Sequence, residues 1–332
     1  MQGGVGDTAL ASFALTQLRP GQVDRGQFTA AEHGAGRGAQ FLFSQLADKE
    51  HPEWREGADY PTYAAALLLL SLDDSRHKIE TADKARIASV VDYLKSSQQT
   101  TAAGWKSDDP RFGGWNQTGA TAVEDARRPG NTNISITCFA LAALQTHGVL
   151  DDDASRVAQA FLARCQNFGP DAPQGDGGFF FTPDVEDPLN KAGADHEAKP
   201  ARARSYGSAT ADGLCALAAS GARSDDPRVA AAIAWLAQHD GVATVPGFSA
   251  DEADGASPAD GLKFYYAVAL ARAIRAYPDA QFAARKEALI AWIIAEQRAD
   301  GSWQNSNNAM REDDPLIATS LAIAALAMLT AS

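Results

Sequence analysis

Trp292-Ile293-Ile294-Ala295-Glu296-Gln297-Arg298-Ala299-Asp300-Gly301-Ser302-Trp303 ends one helix, turns on a glycine and hands the chain to another. Just upstream, Leu289, Ile290, Ile293 and Ile294 recur at helical spacing, with Arg285, Lys286, Glu287 and Glu296 between them. That pattern predicts a half-buried outer helix. Downstream, Asp313-Asp314-Pro315 opens Leu316–Leu329, which is apolar or small almost all round and so must be buried on nearly every side. The unit is an outer helix, a Gly-centred loop and an inner helix.

The same unit recurs along the 332 residues. Asp7–Leu18 reads as an inner helix with no outer partner before it. Ala30–Leu46 reads as outer, with Phe41-Leu42, Gln45 and then Trp54, and Tyr60-Pro61 leads into an inner helix ending at Leu72. Thr81–Ser97 follows as outer, with Tyr93-Leu94, Gln98 and Gly104-Trp105, and Asn131–Leu144 as inner. Ala154–Gln166 carries Phe161-Leu162, Gln166 and Asp176-Gly177-Gly178-Phe179, ahead of the inner Tyr206–Ala219. Arg228–Gln238 carries Trp235-Leu236, Gln238 and Gly247-Phe248, ahead of the inner Pro258–Ala276. Six inner and five outer helices at a period of roughly 50–60 residues mark a helix-pair array. Inner helices of an open superhelix keep a polar concave stripe, and these do not. A closed ring buries them better, so the expectation is an all-α (α/α)6 toroid. It forms one domain over residues 1–332, with long loops at 102–130, 169–204 and 241–260.

Composition narrows the function classes. Lys+Arg 29 against Asp+Glu 42 gives a formal charge of −13 and a pI near 4.9. A nucleic-acid partner needs a basic footprint, and none is present. Charge also argues against docking on anionic lipid, though peripheral membrane contact through apolar side chains stays open. Cys138, Cys165 and Cys215 make no CxxC pair and read as buried thiols. The most apolar run, Ala64–Leu72, is too short to cross a bilayer. The start Met1-Gln-Gly-Gly-Val-Gly lacks signal-peptide character, which leaves a cytoplasmic location and export with an upstream segment removed both open. The oligomeric state is not specified.

An aromatic plus Leu, a Gln a few residues on, then Asp-Gly-Ser/Gly-Trp/Phe resembles the repeat of squalene–hopene cyclases and related prenyltransferase-fold proteins. The best copies are Trp292–Trp303 and Phe161–Phe179, while the Trp54 copy lacks the Asp-Gly. The resemblance implies the toroid. It also implies a polyprenyl or triterpenoid, squalene-like ligand in a central apolar cavity and, for an enzyme, isomerase chemistry of the class II terpene cyclase type. Such cyclases protonate an alkene with a carboxylic acid from an Asp-x-Asp-Asp-Thr run. The corresponding stretch here is Gly130-Asn131-Thr132-Asn133-Ile134-Ser135, in which amides and hydroxyls replace the carboxylates. Glu312, Asp313 and Asp314 form the clustered acids at an inner-helix start, with Asp314 the best donor of the three, and Asp7-Thr8-Ala9 is a partial match. Acids placed there are commonly caps. Asp212 is the other candidate, a carboxylate where the matching positions of other inner helices carry Phe139 and Leu321.

The substrate-contacting candidates are Tyr60, Tyr63, Asn133, Phe139, Tyr206, Thr210, Tyr265 and Tyr266, with Phe264 beside them. The aromatic faces among them, of Tyr60, Tyr63, Phe139, Tyr206, Phe264, Tyr265 and Tyr266, are suited to a carbocation or to plain core packing. No cofactor and no metal are expected. Asp212 and Cys215 lack the helix-borne His of a prenyltransferase zinc site, His239 and His196 being elsewhere. A Cys-Gly-Glu-Gln thioester run is absent. The loop acids Asp176, Asp184, Glu186 and Asp187 form the one faint calcium pattern. Small residues at Ala65, Ala140, Thr210, Gly213 and Ala322 predict an unfilled ring centre. Its entrance is expected at the inner N-termini, near Tyr206, Asp260 and Asp313, with the ligand's polar head outward. The alternative is a non-catalytic toroid that binds a lipid or a protein.

Overall fold

The computed structural model describes residues 4–46, 60–72, 81–117, 132–169, 175–184, 189–197, 201–248 and 257–331. Trp54, Gly130, Asn131, Glu186 and Asp187 lie outside the described residues, as do parts of the three long loops. Alternation of buried and half-buried helices is realised as read from the sequence. The inner set is α1 (Val5–Gln17), α3 (Pro61–Ser71), α5 (Ile134–Thr146), α7 (Gly207–Ala219), α9 (Lys263–Ala276) and α11 (Pro315–Thr330). The outer set is α2 (Arg25–Leu46), α4 (Thr81–Ser96), α6 (Asp152–Arg164), α8 (Pro227–Gln238) and α10 (Ala283–Ala295). A single helical turn, Pro258–Gly261, precedes α9.

The inner helices close a ring. Each packs on the next, α1 on α3 through to α9 on α11, and α11 returns to pack on α1. The ring closes because these helices are buried all round: Ala64, Ala65, Leu68 and Leu69 of α3 are wholly inaccessible, as are Ala140, Leu141 and Ala143 of α5. Alanine at such positions lets neighbouring helices approach closely, while leucines fill the gap to the outer layer. Among the described residues the seam between α11 and α1 has no outer helix. The turn after α1 covers it instead, with Gln22 Nε2 donating to the Ala327 carbonyl and to Thr330 Oγ1, both at 2.8 Å. Two short strands, β1 (Ala194–Asp195) and β2 (Arg202–Ala203), pair antiparallel ahead of α7.

The loop motif proves to be the mortar between units. Gln166 Nε2 donates to the Gly177 carbonyl and, across the repeat boundary, to the Arg228 carbonyl at the start of α8, both at 2.9 Å. Gln98 does the same with Gly113 at 3.1 Å and Ala154 at 2.9 Å. The backbone N–H of the loop aromatic then donates to a threonine on the inner helix. The pairs are Trp115–Thr137, Phe179–Thr210 and Trp303–Thr319, at 3.0–3.1 Å. In one repeat the aromatic differs from the sequence expectation. Gly113-Gly114-Trp115, not Gly104-Trp105, docks there, and the Trp115 indole donates to the Leu94 carbonyl at 2.7 Å. Trp105 belongs to an extra turn and carries Arg111 over its ring at 4.8 Å. Gly113 has φ +96°, and a Cβ there would stand 2.2 Å from the Val157 carbonyl oxygen, so only glycine fits.

Candidate functional site

The threonine register also fixes what faces the ring's centre. Two residues beyond Thr137, Thr210 and Thr319 stand Phe139, Asp212 and Leu321, so Asp212 occupies a position its counterparts give to apolar side chains. Its side chain is 2% exposed. Asp212 Oδ2 accepts a hydrogen bond from the Tyr265 hydroxyl at 2.6 Å, and that hydroxyl also bonds Ser135 Oγ. Asp212 Oδ1 has no hydrogen bond; Arg272 Nη1 faces it at 3.8 Å, and is itself without one. Burial pushes the Asp212 carboxyl up to about 6, against the pull of Arg272, Tyr265 and Ser135. Tyr63 stands by Ser135, and burial raises its hydroxyl and that of Tyr265 far above the usual phenol. Two buried thiols, Cys138 and Cys215, complete the cluster.

Arg272 is the residue that sequence reading missed. It sits seven residues after Tyr265 on α9, hence on the same helical face, in the run Ala267–Ile274 that is otherwise apolar. That spacing was the available signal. Its guanidinium lies 4.0 Å over the Phe139 ring, which Phe13 and Tyr63 flank edge-on at 6.4 and 5.9 Å.

Above this cluster is a cavity of about 590 Å3. It is lined by the C-terminal parts of all six inner helices, among them Phe13, Leu70, Ala142, Cys215, Arg272 and Met328. That convergence shows the inner helices running in one direction. The cavity therefore opens at the end opposite to the expected one, and its wall is less apolar than expected, including Arg19, Arg275, Gln17, Gln145 and His147. At the N-terminal end, Tyr206 is buried against Phe248, ring centroids 5.3 Å apart. Gly213 does not face the centre: a Cβ there would meet the Phe179 ring at 2.5 Å, in the layer between inner and outer helices.

The candidate residues do not share one place. Asp212, Tyr63, Phe139 and Tyr265 meet at the centre. Asp314, Asp313 and Glu312 gather at the N-terminal end. Asp314 is the cap of α11, accepting from the Leu316 N–H at 2.9 Å, and Asp313 is exposed. Glu312 is buried and accepts from the Phe264 and Tyr265 N–H groups at 3.1 and 2.7 Å and from Asn305 Nδ2 at 3.0 Å, which caps α9 from outside. Burial raises its carboxyl to about 7. Asn133 caps α5 through the Ile136 N–H at 3.0 Å. Thr210 serves the loop bond already described, and Tyr266 is held by Arg285 of the outer layer. Tyr60 is 43% exposed ahead of α3, with φ +54°.

No protein-family model matches the chain, and no curated protein matches it by sequence. Known structures do match over nearly its whole length. A protein from Actinoplanes aligns with TM-score 0.56 and 17% identity, covering 98% of this chain and 90% of its own. The type II terpene cyclase MstE from Scytonema aligns with TM-score 0.53 and 14% identity, covering 98% and 88%. The chain thus has a terpenoid-cyclase-like, all-α toroid fold.

Proposed function

We propose that this toroid binds an isoprenoid-like molecule, of polyprenyl or triterpenoid type, in its central cavity. The observation that carries the reading is the cavity of about 590 Å3 enclosed by six inner helices, a size within the range of small-molecule sites. Phe13, Leu70, Leu72, Met328 and four alanines give it apolar wall. The likeness to a type II terpene cyclase supports an isoprenoid over other apolar ligands. Native mass spectrometry of the purified protein with farnesol and with squalene tests it. Saturable one-to-one binding is expected of at least one, and no binding of either refutes the reading.

A second reading, cyclisation, is favoured by Asp212 alone. A carboxyl at about 6 with one unbonded oxygen is the group at the ring's centre able to carry a proton. A class II mechanism would deliver that proton to a terminal alkene, close rings by attack of the remaining alkenes on the cation, and release a proton at the end. Yet Arg272 lines the cavity and Asp212 does not, so binding without conversion fits the geometry better. Turnover of squalene or a farnesyl substrate by the wild type, lost in Asp212→Asn, would reverse that order.

A further inference from the structure

Among the described residues, the cavity wall contains three arginines, one histidine and no carboxylate, in a chain of net charge −13. Part of this has a structural cause. Six helix C-termini converge there, and their unpaired carbonyls attract cations. Arg19 Nη1 donates to the Thr16 carbonyl at 3.1 Å, and His147 Nε2 lies 2.9 Å from the Leu69 carbonyl, each in the last turn of an inner helix. Arg275 is exposed at the rim.

Arg272 is different. Its side chain is only 10% exposed, and no hydrogen bond reaches any of its five donors among the described residues. Helical side chains lean toward the helix N-terminus, so from its place four residues before the end of α9 its guanidinium drops a turn deeper. It lies there level with Phe139 and Asp212 and forms the floor of the cavity. A purely structural partnership with Asp212 would close to hydrogen-bonding distance, about 2.7–2.9 Å. At 3.8 Å the pair stays open, with the facing atoms of both residues unbonded. A buried guanidinium with unmet donors facing a cavity is built to receive a forked acceptor.

We propose that Arg272 binds the anionic end of an amphipathic ligand, a terminal carboxylate or phosphate that enters head first, while the apolar tail extends past Phe13 and Met328 toward Leu70 and Leu72 at the rim. This inference rests on the reading that the cavity takes an apolar-tailed molecule, and it reverses the head-outward orientation expected from the sequence. The fork of Arg272 meets a carboxylate through two parallel N–H···O bonds, and meets a phosphate in the same way. Arg275 at the rim has no such role.

Titration calorimetry with farnesoate, farnesyl monophosphate and farnesol tests it on the wild type, Arg272→Gln, Arg272→Lys and Arg275→Gln. The tail is constant across the three probes, so their ratio reads the head alone. At least one anion should bind the wild type tenfold or more tighter than farnesol, and which anion is tighter identifies the head group. That preference should fall to near unity in Arg272→Gln and persist in Arg275→Gln. Arg272→Lys keeps the charge but loses the fork, so farnesoate should weaken several-fold relative to wild type; this arm decides if the glutamine variant does not fold. Equal binding of alcohol and anions by the wild type, or an anion preference that survives loss of Arg272, overturns the head-group inference while leaving the ligand reading intact. Failure of all three probes to bind overturns both.

Discussion

Asp212→Asn is the perturbation that isolates the buried charge. In the folded chain the carboxyl titrates at about 6, against an ordinary 3.8, because burial disfavours the carboxylate more than Arg272 and Tyr265 favour it. The folded state therefore holds this proton more tightly than the unfolded one. Well below pH 4, near pH 2, both states are protonated and the group adds no pH-dependent cost. As pH rises from 4 to 6 the unfolded chain ionises first, and folding loses stability until the folded carboxyl ionises as well. A rise from 3.8 to about 6, at about 1.4 kcal/mol for each factor of ten, is worth about 3 kcal/mol. The wild type should therefore lose about 2.4 kcal/mol of that relative to Asp212→Asn between pH 4 and pH 7. Urea unfolding followed by tryptophan fluorescence at four pH values measures the difference. Arg272 stays charged throughout, so losing its partner shifts the asparagine variant by a constant and leaves the slope alone. The other titrating groups are common to both proteins and cancel. A stability difference that is flat across this range, or that runs the other way, would show Asp212 ionised in the fold and the account of the ring's centre to be wrong.

Other positions test the frame around that centre. Gln166→Ala removes one amide that joins a buried and a part-buried carbonyl across a repeat boundary, and should cost about 1–3 kcal/mol in urea unfolding. Gly113→Ala puts a side chain at φ +96° against the Val157 carbonyl, with an expected loss of at least about 2 kcal/mol or no soluble protein. Asp314→Ala deletes the cap of α11 and should cost about 1 kcal/mol, with farnesol binding in calorimetry unaltered. A change in binding there, without loss of stability, would move the site to the N-terminal end.

The ring was legible in the sequence because its cause is local. Helices apolar all round, such as Leu316–Leu329, have no solvated solution, and a Gly-aromatic loop before each of several inner helices sets their common direction. The copy at Gly104-Trp105 misled because two Gly-aromatic pairs follow Gln98, and only docking on Thr137 distinguishes Trp115. The entrance was misplaced for a physical reason as well. Long loops at the N-terminal end point to a mouth there, yet the described part of the last of them packs on the start of α7, where the Gly207 N–H donates to the Pro246 carbonyl at 2.9 Å. At the other end, the described connection over residues 147–151 is too short to reach across the centre, and the cavity lies among the inner-helix C-termini there. Asp212 could be singled out as a carboxylate in an apolar register. Arg272 is legible by the same comparison, as a charge in the otherwise apolar run Ala267–Ile274 on the face of Tyr265, but it lies far from every loop motif.

Chemistry at the centre is pulled two ways by a single side chain. An acid that starts a polyene cyclisation has to hold a proton, reach an alkene and leave the cation it makes in a favourable field. Asp212 satisfies the first demand in part: at about 6, roughly one molecule in ten carries the proton at pH 7. The aromatic faces of Phe139 and Tyr63 would serve the third. Arg272 already occupies the Phe139 face at 4.0 Å. A carbocation forming about 5 Å from that guanidinium meets a repulsion of about 3 kcal/mol at an effective dielectric of 20, a loss of roughly two powers of ten in rate. For an anion at the same place the sign reverses, and the same charge holds the ligand. Alkene protonation and anion retention therefore compete for one site, and the position of Arg272 favours retention.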